Sequence, residues 1–486
     1  MNRPSRVMLV CGALALAFSL VVLLGIASRD GSGLRQYQEA LRAKGEKLSF
    51  AELTCGRRTN TVDSHAVITN AVLKLNGARL PPSLLELRRY STPGRASVTW
   101  RQPRPTWTQS SGSGGDGTWD EFAAQMQAAQ STLLEIRQAL KEPAADVGPC
   151  TNMLTSRRVN FVAIRTAAQW LMGAAESELH AGRLEEALQD LEALAGVARM
   201  ERDEPTLVAQ MIRVAVASLG LEATWEALQA PGWTEPQLER LQKAWEPVDL
   251  VEAVEKGFVG ERACGYELFT QVRRSSGPQI GRLVRSCSGG PPNKRSLQDL
   301  MMDHLYLPAY QLACISDDEL FYLKTMEETL TAPRLLKARR PWLEAQQAIN
   351  NVGVRINAIA SRPDYFRYYV SLISIPNFVR AAERASRVET ERQTALAAIA
   401  LKRCQLRHGN LPSSLESLVP EFLPAAPYDP MSGKALCYRL KPDGSFMLYS
   451  VGEDGKDDGG DATPASGKAS GLWESPDAVW PAAASE

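Results

Sequence analysis

Residues 7–27, VMLVCGALALAFSLVVLLGIA, are twenty-one consecutive positions without a charge, bounded by Arg6 and Ser28. A helix of that length reaches about 31 Å, close to the thickness of a bilayer's hydrocarbon core, so this segment can span a membrane. Arg3 and Arg6 precede it in the pattern of a signal sequence or signal anchor, and Gly25, Ile26 and Ala27 offer small residues for cleavage before Ser28. A cleavable apolar region is usually about 7 to 15 residues long, so the longer run here favours an uncleaved anchor, with export after cleavage near Ala27 as the alternative. Arg29, Arg35, Arg42 and Lys44 follow the segment and offset the arginines before it, so the charge asymmetry that orients membrane helices is weak. Cys11 follows Val10 early in the run, which is not the setting of a lipid-modified cysteine.

The 459 residues that remain of the 486 after residue 27 exceed one ordinary core and predict two or three domains. Lys plus Arg equals Asp plus Glu at 55 each, which argues against a dedicated nucleic-acid surface. The 44% hydrophobic and 23% charged fractions are those of a folded globular protein. Of eight cysteines, seven lie beyond the apolar run, and no CxxC spacing occurs, so neither a zinc ribbon nor a dithiol redox motif is supported. In an oxidising compartment Cys404 with Cys437 is the first pair to consider, because both fall in one compact C-terminal unit. Buried or free thiols are the alternative.

Apolar spacing at three and four positions organises the rest of the chain. Residues 34–53 read as a juxtamembrane helix and a second short one, broken at Gly45. Residues 55–102 are irregular, and residues 103–118, PRPTWTQSSGSGGDGT, read as a linker or long surface loop. Helical periodicity dominates from Trp119, with Asp120 placed to cap. Residues 160–180 and 184–200 form a hairpin through Gly182, and residues 205–230 add a third helix closed by Pro231 and Gly232. The stretch around Gly182 has the look of half a tetratricopeptide unit, but no second copy stands at that period. Residues 233–274 continue the helical pattern, interrupted at Pro247, and residues 275–292 are rich in breakers and read as a loop. Helices follow over 296–340 and 342–360. Trp170, Trp225, Trp233, Trp245 and Trp342 fit either packed core or a groove for a peptide or glycan.

From about residue 376 the pattern becomes one long helix, 377–408, and then short extended runs, with residues 441–444 (KPDG) as a hairpin turn between 436–440 and 445–451. The stretch from Ala400 to Asp461, with a late DAVWP, resembles the C-terminal globular domain of the type II secretion major pseudopilin family. Gly409, Leu411 and Pro412 stand at its turn, Tyr428, Asp429 and Pro430 at its strand approach, and residues 450–455 (SVGEDG) at the start of its loop. The likeness covers about 90 residues, and it implies an α+β module ending in a calcium-binding loop in a bacterial secretion or envelope setting. The family's G-F-T-x-x-E start is not found at this N-terminus, so a fibre-subunit role does not carry over.

Asp454, Asp457, Asp458 and Asp461 crowd beside Gly455, Gly459 and Gly460, a composition that lets carboxylates and carbonyls converge. Calcium takes about six to eight oxygens in flexible geometry, although the spacing is not that of an EF-hand. The resemblance adds Asp477 as a later ligand, and the ion's role would be structural. A solvated acidic turn accounts for the same composition. His65, His180, His304 and His408 are scattered outside any HExxH pattern and read as surface or helix-end residues. No nucleophile elbow, phosphate loop or dinucleotide fingerprint occurs, and residues 317–319 (DDE) read as a solvated helix start.

The expectation is a mainly α protein in four parts. Residues 1–33 form the anchor, 34–118 juxtamembrane helices with a linker, 119–375 a helical-hairpin domain, and 376–486 the pseudopilin-like α+β module. It would sit in the bacterial inner membrane by a single pass through residues 7–27, with its body in the periplasm or extracytoplasmic space. There it would serve a protein partner as a non-enzymatic scaffold, with no catalytic residues assigned, a structural calcium on the five aspartates and no nucleic acid bound. An exported hydrolase with its site in the helical domain is the rival.

Overall fold

In the computed structural model the described residues are 31–54, 64–75, 90–105, 117–141, 160–287, 297–375, 378–464 and 471–484. The apolar run at 7–27 and most of the expected linker lie outside them. The described chain is mainly helical with small sheets.

Helices α1 (Ser32–Ala43) and α2 (Phe50–Thr54) part at Gly45, whose φ of +84° only glycine adopts cheaply. The region that reads as irregular contains α3 (Ser64–Lys74) and a hairpin of β1 (Tyr90–Thr92) and β2 (Arg95–Ala96). A helix as short as α3 forms because packing supports it: Ile68, Ala71 and Val72 are buried in the common core. The next helix, α4 (Trp119–Lys141), is capped by Thr118 rather than Asp120. The Thr118 hydroxyl accepts the Glu121 N–H at 3.2 Å while the Glu121 carboxylate accepts the Thr118 N–H at 2.9 Å, a reciprocal capping box.

Helices α5 (Phe161–His180) and α6 (Leu184–Arg199) form the expected hairpin, with Gly182 at φ +71° in its turn. Helix α7 (Leu207–Leu228) packs against both, and α8 (Glu235–Trp245) and α9 (Leu250–Arg274) follow with caps from Thr234 and Asp249. By length and hydropathy α7 could cross a membrane, yet two thirds of its apolar window (67%) is buried inside the protein, so it is a core helix. Its close contact with α8 depends on Gly220, where a Cβ would come within 2.6 Å of the Trp245 ring.

Residues 275–292 are not a loop throughout, because α10 (Gly277–Cys287) forms there. Pro278 lies in the first turn, where its missing N–H costs nothing, and the Gln279 side chain returns to the Ser276 N–H at 2.7 Å. Then come α11 (Leu297–Met301), a π turn over Met302–Tyr306, and α12 (Leu307–Ala313). Helices α13 (Ile315–Thr329), α14 (Thr331–Lys337), α15 (Trp342–Ala360) and α16 (Tyr369–Ser374) complete this part.

Helix α17 (Val379–His408) runs through the middle of the molecule, against α7, α8, α9 and α15 on one side and the C-terminal strands on another. Its run of small residues, Ala395, Ala397, Ala398 and Ala400, admits neighbouring backbones closely, and all four are buried. Its buried charges are satisfied in place. Arg392 bonds Glu389 at 2.6 Å and the Trp245 carbonyl at 3.2 Å, and Arg403 bonds Glu235 at 2.8 Å and Gln242 at 2.9 Å. One apolar core extends from Leu34 to Val451, so residues on both sides of position 376 share it. All five tryptophans named above are buried in this core or against it.

After Gly409 ends α17 in the left-handed conformation, β3 (Tyr428–Asp429) pairs with β4 (Lys434–Ala435). Strands β5 (Cys437–Leu440) and β6 (Phe446–Ser450) form the expected hairpin, in the register Cys437 opposite Tyr449 and Leu440 opposite Phe446. The tail then adds β7 (Ala478–Val479) to β6, and β8 (Ala482–Ala483) runs parallel to β2. Trp225 donates its indole N–H to the Pro481 carbonyl at 3.0 Å, tying this strap to the core. Cys404 and Cys437 are not bonded to each other: both are free thiols, Cys404 facing the Asn410 carbonyl at 3.8 Å and Cys437 facing Asp457 at 3.9 Å.

Candidate functional site: an acidic loop and a cationic groove

The five aspartates of the C-terminal loop are brought near one another but not onto one point. Asp477 is fully buried. Its carboxylate accepts the backbone N–H groups of Gly460 at 2.8 Å, Asp461 at 3.0 Å and Asp458 at 3.4 Å. Its own N–H returns to the Asp461 carbonyl at 3.1 Å. Burial pushes the Asp477 carboxyl above its ordinary range, while those three N–H bonds pull against the rise. Asp457 accepts from the Tyr449 hydroxyl at 2.9 Å and the Gly459 N–H at 3.0 Å, which hold its carboxyl below the usual range. Asp454 accepts from the Lys456 N–H at 3.0 Å and Asp461 from the Thr463 N–H at 2.9 Å. Asp454, Asp457, Asp458 and Asp461 are exposed.

The Asp477 carboxylate is thus directed at three backbone N–H groups, while the other four aspartates are spread along the exposed loop. Among the described residues no group of three or more His, Cys, Asp or Glu side chains is placed to share an ion. What the loop does hold is a crossing of two chain segments. A Cβ on Gly452 would lie 2.0 Å from the Pro476 carbonyl oxygen, so the start of the loop and the returning tail meet at glycine distance. Glu453 and Glu391 fix the strap further, through an ion pair to Arg387 and a 2.8 Å bond from the Trp473 indole.

A second feature is an open groove of about 670 Å³ between α4, α6 and α8. Leu134, Leu140, Ala193 and Ala244 give it apolar surface, and Arg137, Lys141, Arg199, Arg240 and Lys243 line it with positive charge. Three of these cations are already paired. Arg137 makes a bidentate pair with buried Asp190 at 2.7 and 2.9 Å, Arg240 bonds Glu192 at 2.8 Å and Glu185 at 2.6 Å, and Lys243 meets Glu239 at 2.7 Å. Burial pushes the Asp190 carboxyl up to about 7 against the pull of Arg137. Arg199 and Lys141 have no hydrogen-bond or ion-pair partner among the described residues. Arg199 is half-buried, and desolvation lowers its pKa.

Arg137 and Lys141 are four apart on α4, and Arg240 and Lys243 are three apart on α8, so each pair shares a helix face. That spacing was the available signal, and only the packing of three helices brings the pairs together.

Other titratable groups are sealed inside. Asp318, in the segment read as a solvated helix start, is buried and accepts the Val370 N–H at 2.9 Å and the Ser371 hydroxyl, and burial raises it to about 6. His65 is buried, not superficial, and its Nε2 accepts the Asn160 N–H at 3.1 Å. His180 stacks on Trp119 with ring centroids 4.1 Å apart. Along the end of α7, Trp100, Trp233, Lys402 and Arg101 bond the carbonyls of Glu226, Ala227, Leu228 and Gln229 in turn. Four helix-end acceptors are thereby satisfied by side chains from three separate segments. No family model, no curated protein and no solved structure matches this chain.

Proposed function

We propose that this chain is a membrane-tethered protein of the bacterial envelope that acts by holding a protein partner, not by chemistry, and that the α4–α6–α8 groove receives an acidic segment of that partner. The observation that carries the reading is Arg199, a half-buried guanidinium in the groove that has no counter-charge among the described residues, beside Lys141, which has none among them either. Paired cations around them fix the walls, and the apolar floor supplies contact area for the partner's side chains.

The tether belongs to the same proposal. It is supported by the uncharged run of residues 7–27 and its basic flank, and it puts the chain in the inner membrane with its body outside the cytoplasm. The C-terminal unit is proposed to be pseudopilin-like. The order of long helix, left-handed glycine, short 3-10 turn over Leu415–Leu418 and antiparallel hairpin supports that reading. In this protein its loop and tail act as a brace that ties β6 to β2. Structural calcium in the loop has no support in the carboxylate geometry and is left to direct test below.

The test is photo-cross-linking of the full chain in native membranes from position 134, at the groove's edge. A partner adduct mapping to an acidic stretch, and lost when Arg199→Gln and Lys141→Gln are combined, supports the proposal. An adduct unaffected by the two substitutions overturns the groove assignment, and extraction of the chain by alkaline carbonate overturns the tether.

A further inference from the structure

The described chain begins at Gly31, and the place where it begins has an unusual surface. A Cβ on Gly31 would lie 3.9 Å from the Ser316 hydroxyl, at the start of α13. The first turns of α1 are held there, since Gln38 donates to Glu319 at 2.7 Å and Glu319 pairs with Arg273 of α9. Residues 1–30, with their uncharged run, therefore join the body at the end where α9 finishes and α13 starts.

The same end is built by α11, the π turn, α12 and α16. Gln311 of α12 donates to the Val272 and Ser275 carbonyls at the end of α9, and the Tyr306 hydroxyl donates to the Phe366 carbonyl. The Tyr306 and Tyr369 rings stand 5.5 Å apart, so α16 lies against the π turn. Of the fifteen large hydrophobic side chains that are exposed among the described residues, six belong here: Leu297, Leu300, Leu305, Leu312, Tyr365 and Ile373. Leu297, Leu305 and Leu312 lie in succession on α11, the π turn and α12, and all three are exposed. The opposite side of the same helices, with Asp303, Leu307 and Tyr310, is buried. Leu297 and Leu312 are 75% and 66% exposed, far more than a helix covered by protein permits.

Charge at this end is mixed: Asp299 lies on α11 itself and has an interaction partner of its own. Arg274 at the end of α9 and Arg282 on α10, which packs on the π turn, are exposed and have no partner among the described residues. The acidic groups Asp317 and Asp364 are neutralised by Arg367 at 2.7 Å and Arg362 at 2.8 Å. An apolar stripe beside arginines that have no partner among the described residues is the composition of a helix that lies in the headgroup region of a membrane.

We infer that this end of the body rests on the lipid surface, with the α11–α12 stripe and Ile373 in the boundary between headgroups and acyl chains and Arg274 and Arg282 against anionic headgroups. The inference rests on the tether reading, because the tether is what brings this end to the bilayer. The occupant is lipid, since the uncharged run 7–27 is long enough to cross a hydrocarbon core and only Ser28, Arg29 and Asp30 separate it in sequence from Gly31.

The experiment places a photoreactive benzoylphenylalanine at position 305 or 312 of the full chain, with position 406, an exposed leucine on α17, as the reference. The protein is reconstituted in vesicles of phosphatidylcholine and phosphatidylglycerol, irradiated and analysed by mass. Lipid adducts at 305 and 312 several-fold above those at 406 are expected, with melting unchanged from the parent. If the chain stays with the vesicles through alkaline carbonate and 305 and 312 gain no lipid, the inference falls and the tether stands. Adducts from 312 to a second copy, or to residues 7–27 of the same chain, also overturn it. If carbonate strips the chain from the vesicles, it is the tether that fails.

Discussion

The Asp477 carboxylate accepts the Gly460 N–H at 2.8 Å, and it also accepts from the Asp461 and Asp458 N–H groups, so that one buried side chain gathers three backbone donors of the loop. A carboxylate met by N–H groups in this way ties the returning tail to the loop.

Asp477→Ala is therefore expected to cost about 1–3 kcal/mol, since it leaves three part-buried N–H donors without their acceptor. Asp454→Asn, at an exposed position, should change stability by less than about 0.5 kcal/mol. Urea denaturation measures both. Hydrogen exchange should report faster opening of residues 458–461 and of the 478–483 strap in the Asp477 variant. Calorimetric melting with and without calcium should coincide, and a calcium-dependent rise abolished by Asp454→Asn would instead establish an ion there.

Glu176 gives a prediction in pH. Both of its carboxylate oxygens are buried and have no hydrogen-bond partner among the described residues, and burial raises its pKa well above the ordinary value, with nearby Glu226 adding to the rise. A folded pKa above the unfolded one means that this group's contribution is fully present below about pH 4.3 and is lost as pH rises towards the folded value. Glu176→Leu removes that slope. The variant should gain stability relative to the parent as pH goes from 5 to 8, by about 1.4 kcal/mol for each pH unit over which only the folded group stays protonated. Parallel urea curves at the two pH values would refute it.

Gly220 faces Trp245 at a distance that leaves no room for a methyl group. Gly220→Ala should destabilise by about 1–3 kcal/mol through forced separation of α7 and α8, even though alanine is the better helix former. The Trp245 indole also donates to Thr224 at 3.0 Å. Tryptophan fluorescence during denaturation should show the loss as an earlier midpoint.

Arg137→Met should cost about 3–5 kcal/mol by leaving Asp190 buried without its partner. Combining it with Asp190→Leu should recover most of that loss. A double variant as unstable as the sum of the single ones would show that the pair's geometry, and not the stranded charge, was responsible.

Much of the fold was legible because helical periodicity is a local signal. The hairpin through Gly182, the break at Gly45 and the 441–444 turn stand where spacing and turn residues put them. The helix at 277–287 was missed because Pro278 and Gly277 read as breakers, while proline in a first turn ends nothing. The cap on α4 was given to Asp120 although Thr118 and Glu121 hold the reciprocal pattern. The acidic loop was visible as composition, but whether its carboxylates face an ion or an N–H depends on where a tail sixteen residues beyond Asp461 returns, which no local pattern encodes.

By itself the sequence determined the apolar run at 7–27, the predominance of helix and the positions of the main turns, since each follows from the chemistry of neighbouring residues. Only the tertiary structure decided that α7, apolar enough for a membrane, is a core helix, and that Glu389, Arg392 and Arg403 of α17 are buried and paired. It also brought Arg137, Arg199 and Arg240 into one groove and Gly31 beside Ser316 at the start of α13. The physical reason is common to all of these. Burial and charge pairing are properties of surfaces brought together across long sequence separations, and helical periodicity says which face is apolar without saying what will cover it.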